Sequence, residues 1–278
     1  MDEVPEDRCG HTILDSEVPD RWGGICCWRP SWKSYEKCVW HVDSQSKPED
    51  KLHESLTGNF ERLDGAILHN VSFGAVDLSN CFLASANLTD SSFRGGELSG
   101  AVLAGITAPN SDFSGANMEG VDISNSDLTD AVFKQANLKK SDFLRSDCAN
   151  CNFWSSNLSK SLASNANFSN ADFQSAILQD IELAGSNLSN SNLVDASISN
   201  SNLFGANLPN VNAKRADLSD GFLDQVSFTD AKLLESNFSR SSISRAGFSG
   251  ADMSLADFED VELSRSTLAG RVQIRVKE

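Results

Sequence analysis

Four side chains near the start of the chain have the types and spacing of a metal site. Cys38 and His41 flank two residues in the segment Cys-Val-Trp-His, and Cys9 and Cys27 precede them. Thiolate and imidazole are the ligands that Zn²⁺ takes in closed, four-coordinate structural sites, often at such spacings. The sequence therefore predicts a structural zinc ion held by Cys9, Cys27, Cys38 and His41, with no open position for chemistry.

Neighbouring residues leave other assignments open. Cys26 could replace Cys27, and His11 could replace Cys9, in the same ligand set. The four thiols could instead form two disulfides, as in secreted chains, or pack without any ligand. Met1 is followed by an acidic segment and not by a signal peptide, so we expect a cytoplasmic protein with reduced thiols. That expectation favours zinc over disulfides.

The predicted ligands belong to a segment with its own composition. Residues 1–45 carry four of the seven cysteines and four of the five tryptophans. So small a module buries little apolar surface and needs a metal or disulfide for stability. Residues 46–60 begin with helix-start chemistry and continue with Leu52, Leu56 and Phe60, which predicts a short capping helix.

The rest of the chain has a period of five. From Leu63 to Leu268 nearly every fifth residue is large and apolar, and the residue two positions earlier is usually Ala or Ser. Five residues advance an α-helix by roughly 500°, and an odd period alternates the faces of a strand, so neither element suits it. The chain must turn a corner in every unit. Four corners close a twenty-residue coil, and stacking at about 4.8 Å gives a solenoid about 50 Å long.

Two columns of residues spaced by twenty support this coil. An aromatic column is predicted to stack inside the solenoid. An Asn/Asp/Gly column is predicted to form corners, because these residues tolerate left-handed backbone. The aromatic column comprises Phe73, Phe93, Phe113, Phe133, Phe153 and Phe173, and the corner column comprises Asn70, Asp90, Asn110, Asp130, Asn150, Asn170, Asn190, Asn210, Asp230, Gly250 and Gly270.

The run resembles the pentapeptide-repeat family, whose signature is Ala-(Asp/Asn)-Leu-X-X. Units such as Ala-Asn-Leu at 86–88 and Ala-Asp-Phe at 171–173 carry the resemblance. It implies an all-β fold, a right-handed quadrilateral parallel β-helix of about ten coils over residues 61–270. The Cys/His module also resembles those that precede such repeats in halophilic archaeal proteins.

The five-residue period ends after Gly270. Residues 271–278 contain alternating Arg, Val, Gln and Ile residues, the pattern of a strand. Because the terminal coil of a solenoid exposes an apolar end, we expect this segment to form a capping strand. The alternative is a homodimer that pairs through the same strand.

The sequence offers little for catalysis. The repeat itself supplies Asp and Ser, the only His beyond residue 53 is His69 at an outward position, and no phosphate-binding loop is present. We therefore expect no enzyme. A net charge of −16 argues against direct nucleic-acid binding, and no apolar run reaches the length of a membrane span.

We therefore expect a non-catalytic scaffold whose rigid surface binds an unidentified protein partner. Outward Phe204 and Phe222, with Leu162, are candidates for a contact patch. The resemblance implies one alternative, because pentapeptide-repeat proteins that protect type II topoisomerases look like duplex DNA in size and acidity. One side of the predicted solenoid carries five acids and no bases, so an acidic DNA mimic stays open.

Overall fold

The computed structural model describes most of the repeat and a short segment before it: residues 37–43, 47, 51–52, 54, 56, 61–261 and 263–267. The repeat forms a parallel β-helix. Parallel bridges join each pairing residue to the one twenty positions later, from Arg62 and Phe82 to Gly247 and Thr267. The predicted twenty-residue coil is confirmed. In the described residues the pairing involves one residue per pentad and not continuous strands.

Each pentad contributes to one of four sides. Side 1 contains the pentads that begin at residues 61, 81, 101 and every twentieth residue thereafter, and sides 2, 3 and 4 begin five, ten and fifteen residues later. The first and third residues of a pentad point inward and are buried along most of the helix. The second and fourth residues point outward, and the fifth forms the corner.

The corners adopt left-handed backbone on all four sides. Among residues numbered with a multiple of five, φ is positive from Gly65 to Arg265 except at Ala75. The amide of the next pentad closes the turn by donating to the third residue, as Ala66 N does to Leu63 O at 2.9 Å. This is the geometry of a type II turn. The predicted corner column has positive φ at every described position from Asn70 to Gly250, and the predicted corner in every pentad is confirmed for all four sides except at Ala75.

Outward Asp and Asn residues complete the turn. The backbone amide of the fourth residue lies outside the ladder, and the side chain of the second residue accepts its hydrogen bond. Asn87 Oδ1 accepts from Thr89 N at 3.1 Å, and Asp112 Oδ1 accepts from Ser114 N at 2.9 Å. An amide without a partner is costly, which explains why Asp and Asn recur at this position.

The interior is a continuous apolar column. The predicted Phe stack is confirmed, with centroid separations of 4.9 Å between Phe73 and Phe93 and 4.7 Å between Phe153 and Phe173. Such contacts add about 0.5–1.5 kcal/mol each to area burial. Trp40, from the segment before the repeat, extends the column by stacking on Phe73 at 6.0 Å.

The two ends of the β-helix differ in coverage. Residues 51–52 and 54 are helical, and Leu52 is fully buried in the same apolar cluster as the core of the β-helix. At the other end Phe258, Val261 and Leu263 are only partly buried. The predicted strand 271–278 lies outside the described residues. No helix among the described residues has the length and apolarity needed to cross a bilayer.

Candidate functional site

Residues 37–43 pack against the first coil of the β-helix. The carbonyl of Trp40 accepts a hydrogen bond from Ile67 N at 2.7 Å, the contact that an earlier coil would otherwise make. Lys47 Nζ donates to the carbonyls of Trp40 and Ile67, and burial lowers the pKa of Lys47 to about 8. The segment that carries two predicted zinc ligands is thereby fixed to the solenoid.

Cys38 and His41 lie in contact within this segment. Cys38 Sγ is 3.2 Å from His41 Nδ1, and His41 Nε2 is 3.0 Å from the carbonyl oxygen of Asp64. Because a carbonyl only accepts, Nε2 carries the proton and Nδ1 presents its lone pair to the thiol. A zinc-bound imidazole is oriented in the same way, with its second nitrogen donating to a carbonyl. These two residues therefore fit half of a zinc site.

The other predicted ligands are not part of the described structure. Cys9 and Cys27, and their alternatives His11 and Cys26, lie outside the described residues. Within the described part of the chain, no three His, Cys, Asp or Glu side chains are close enough to hold a metal ion. The four-ligand zinc site thus stays a prediction.

Asp64 is a buried polar residue that the sequence did not single out. Its side chain is 4% exposed, and it accepts hydrogen bonds from Arg62 Nε at 2.7 Å and from Ala84 N at 3.1 Å. The Arg62 guanidinium also lies over the Phe82 ring at 4.6 Å. The sequence gave no sign of this burial, because the contacts of Asp64 with His41 and Ala84 join residues twenty or more positions apart.

Two further observations concern single residues. His69 was expected to be solvated, but its Nε2 lies 2.9 Å from Asp43 Oδ1, so the residues before the repeat also contact side 2. Cys81, Cys148 and Cys151 occupy inward positions of the repeat, and all three are buried. Burial raises the pKa of the Cys148 thiol, which keeps it protonated and unreactive.

The outward surface contains a small set of exposed apolar side chains. Three of them lie on side 1: Leu162, Phe204 and Phe222 are 48%, 45% and 59% exposed. Phe222 forms a bridge with Asn202 in the coil below, and Phe204 follows Asn202 by two residues. Phe204 and Phe222 are therefore diagonal neighbours on adjacent coils. The three residues of the predicted contact patch therefore share one side. Trp154, Ile177 and Leu255 are exposed on the other sides.

Charged residues are distributed unevenly around the β-helix. The described part of side 2 carries five carboxylates and no lysine or arginine: Asp90, Asp127, Asp130, Asp147 and Asp230. On other sides some arginines pair with carboxylates, as Arg215 does with Asp195 of the coil below through two contacts of 2.6 Å. The Arg215 hydrogen bond holds the pKa of Asp195 below its usual value. Side 2 is thus the one described side on which acids face solvent without bases.

The match to a protein-family model agrees with the repeat architecture. The family model for pentapeptide repeats matches residues 66–105, 97–135, 109–145, 146–181, 181–220 and 223–260. The chain is similar to HetL, a pentapeptide repeat protein involved in heterocyst differentiation regulation from the cyanobacterium Nostoc. The identity is 22%, the alignment covers 76% of this chain and 87% of HetL, and the TM-score is 0.26.

A second similar structure is full-length QnrB1, a plasmid-mediated fluoroquinolone resistance protein. Its identity is 18%, the alignment covers 73% of this chain and 93% of QnrB1, and the TM-score is 0.37. Comparison with curated protein sequences gave no significant match.

Proposed function

Because this chain belongs to the pentapeptide-repeat family, whose model matches most of its residues, we propose that it is a non-catalytic scaffold for protein–protein interaction. The observation that supports this most directly is the closed ladder of backbone hydrogen bonds between successive coils. A surface of this kind is stiff, and only its outward side chains differ from place to place. Partner choice then depends on those side chains.

The Cys/His module is part of the proposal. Cys9, Cys27, Cys38 and His41 hold one structural Zn²⁺ ion in it. The contact of His41 with Cys38 on one side and the Asp64 carbonyl on the other supports this assignment. A zinc ion would crosslink the module and leave the thiols unavailable for disulfides, in keeping with a cytoplasmic protein.

The handedness, coil count and domain bounds predicted from the sequence are also part of the proposal. We propose a right-handed helix of about ten coils, with residues 1–45 as the module, 46–60 as capping helix, 61–270 as β-helix and 271–278 as capping strand. The stacking of Trp40 on Phe73 supports coverage of the first coil by residues before the repeat. The partly buried Phe258, Val261 and Leu263 support a need for coverage at the other end.

The alternative function, an acidic DNA mimic that regulates a type II topoisomerase or another DNA-binding enzyme, has weaker support. Duplex DNA carries one charge per about 1.7 Å of its axis. Side 2 carries five carboxylates over coils that repeat at about 4.8 Å, which averages about one charge per 10 Å. The low density favours a protein-binding surface over imitation of a phosphate backbone.

Site-specific photocrosslinking in the native host tests the scaffold function. A photoreactive residue replaces an outward side chain on each side in turn, including Phe222 and Ile177. We expect one discrete protein to be crosslinked from positions on one side and not from the others. Absence of any crosslinked protein from all four sides would contradict the proposal.

A supercoiling assay with purified gyrase distinguishes the DNA mimic from the protein-binding scaffold. We expect no change in supercoiling at micromolar concentrations of the full chain. Inhibition of the enzyme, or its protection from a quinolone, would support the DNA mimic and count against a simple scaffold.

A further inference from the structure

Side 1 carries a repeated apolar pair. Leu144 and Leu162 lie on adjacent coils at the fourth and second positions of their pentads, and Phe204 and Phe222 repeat this relation sixty residues later. Sixty residues are three coils, or about 14 Å along the axis. Leu162, Phe204 and Phe222 are among the most exposed large apolar residues of the described chain. Apolar groups this exposed, aligned and repeated are typical of a binding surface.

Carboxylates flank both pairs. Leu162 forms bridges to Asp142 in the coil below and to Glu182 in the coil above. Asp224 follows Phe222 by two residues. At the second and fourth positions of side 1 between Phe82 and Ser244, the described residues include no lysine or arginine. The outward positions around the apolar pairs therefore carry only negative charge, while the bases of this part of side 1, Arg145 and Arg245, lie at its corners.

These carboxylates have neutral partners within the described part of the chain. Glu182 accepts from Asn202 Nδ2 at 2.9 Å, Asp142 accepts from Leu144 N at 2.8 Å, and Asp224 accepts from Ser242 Oγ and Ser244 N. No described salt bridge involves any of the three carboxylates. Their orientation is fixed by these hydrogen bonds, and no described ion pair compensates their charge. A fixed, uncompensated carboxylate beside an exposed apolar group favours a partner that supplies a cation.

The backbone of side 1 determines how a partner can bind. Ladder bonds such as Asn202 N to Ile181 O and Phe222 N to Ser201 O occupy the strand-edge groups of each coil. Strand addition to this side is therefore excluded, and contact must be made by side chains. A helix rises 1.5 Å per residue, and residues seven or eleven positions apart share one face, so apolar residues at these spacings lie about 10 and 16 Å apart and bracket the separation of the two apolar pairs.

We propose that side 1 binds a basic amphipathic helix of a partner protein. Its apolar side chains contact the Leu144–Leu162 and Phe204–Phe222 pairs, and its Lys or Arg residues pair with Asp142, Glu182 and Asp224. This assignment rests on the proposed scaffold function and specifies the chemistry of its partner. Matching charge gives the orientation and rate of binding, and apolar burial gives the affinity.

A designed peptide tests the assignment on the full chain. The probe is a fluorescein-labelled helix with Leu on one face and Lys on the other, and a second peptide carries Glu in place of Lys. We expect saturable binding of the Lys peptide by fluorescence anisotropy and none of the Glu peptide. The double variant F204S/F222S should bind at least about tenfold more weakly, since two buried rings are lost.

Matched variants control for fold and for net charge. Trp154 and Ile177 are exposed to a similar degree on other sides, so W154S/I177S should bind the Lys peptide within about twofold of the parent. The variant E182Q should weaken binding and reduce its salt dependence. If W154S/I177S weakened peptide binding as much as F204S/F222S does, or if F204S/F222S left the binding unchanged, the proposal would be overturned. The Lys peptide would then be attracted only by the net charge of −16 of the protein.

Three other outcomes also have fixed meanings. Absence of Lys-peptide binding to the folded full chain would overturn the assignment. Self-association of the full chain in sedimentation experiments, abolished by F204S/F222S, would overturn it in favour of a second copy. A photocrosslinked partner found on another side would leave the scaffold function intact and contradict the assignment of side 1 alone.

Discussion

Adjacent residues of one pentad have opposite roles, and Phe153 and Trp154 show this with two aromatic side chains. Phe153 is fully buried between Phe133 and Phe173, with centroids 5.0 and 4.7 Å away, and Trp154 is 39% exposed. We expect Phe153→Ala to lower the free energy of unfolding by about 3–5 kcal/mol because it leaves a cavity in the stack. Trp154→Ala should change it by less than about 0.5 kcal/mol. Urea unfolding followed by circular dichroism measures both, and equal losses would contradict the inward and outward assignment.

The zinc prediction also depends on single residues. Protein purified without chelator should contain about one zinc per chain, as structural sites bind the metal tightly. Cys38→Ser and His41→Ala should lower the zinc content and the thermal stability together. Cys151→Ser is the matched control, because Cys151 is a buried thiol of the core and its Sγ contacts the Leu128 carbonyl at 2.9 Å.

The zinc assignment has a clear negative outcome. Metal-free wild-type protein with freely reactive thiols would contradict it, and zinc loss in Cys151→Ser would show that the two variants report misfolding. Thiol titration under denaturing conditions distinguishes both cases from disulfides, since reduced protein gives all seven cysteines.

The corner is the element that makes a five-residue period foldable. Gly100 and Gly115 both have a φ of +66°, but a Cβ on Gly100 would lie 2.6 Å from Asn80 Oδ1, whereas one on Gly115 meets nothing within 4 Å. Gly115→Ala should therefore cost about 1 kcal/mol of left-handed strain. Gly100→Ala should cost more, because the Asn80 side chain must also move. Equal losses in urea unfolding would show that Asn80 moves freely.

The sequence predicts that a strand at residues 271–278 covers the C-terminal end of the solenoid, and these residues lie outside the described structure. Deletion of residues 271–278 should expose the partly buried Phe258, Val261 and Leu263. We expect a lower melting temperature and some aggregation, because terminal coils need caps. Replacing Val272, Ile274 and Val276 by Ser should have the same effect. Conversion of a dimer to a stable monomer upon deletion would instead support pairing through this strand.

Much of the element structure could be predicted from the sequence because the repeat encodes it directly. The spacing of Phe73 and Phe93 gave the coil length, since inward residues twenty apart must stack. Corners occupied by Arg215 or Leu255 could not be recognised, because their left-handed backbone is imposed by the ladder and not by the residue. Asp64 was missed for a similar reason: its contacts with His41 and Ala84 join residues that are distant in the sequence.

At the scale of the whole molecule, the charges form a pattern that composition does not reveal. A net charge of −16 indicates repulsion, yet several carboxylates are compensated along the axis by a residue from a neighbouring coil. Arg240 contacts Asp220 through two nitrogens at 2.8 and 2.6 Å, and Lys140 contacts Glu119 at 2.9 Å. These exposed pairs each contribute little at high dielectric. Together, the ionised carboxylates in such contacts make the free energy of unfolding depend on pH.

That dependence has a definite sign. The Ser79 amide and hydroxyl hold the pKa of Asp77 below its usual value of 3.8, and the Arg240 hydrogen bond does the same for the pKa of Asp220. The unfolded chain therefore binds protons more readily than the folded one below about pH 4. The stability from these carboxylates is fully present above pH 3.8 and is lost as the pH falls through their lowered folded-state values.

We therefore expect the free energy of unfolding to be nearly constant from pH 7 to about 5 and to fall below about 4. Protonation also relieves the repulsion of the net charge, an effect of opposite sign. Urea titrations in about 0.5 M salt screen the repulsion between distant charges while short contacts persist. Asp77→Asn, which keeps an oxygen to accept from Ser79 N but does not titrate, should show a shallower loss. Rising stability down to pH 3 would mean that repulsion, and not the hydrogen bonds and ion pairs of these carboxylates, dominates the electrostatics of this solenoid.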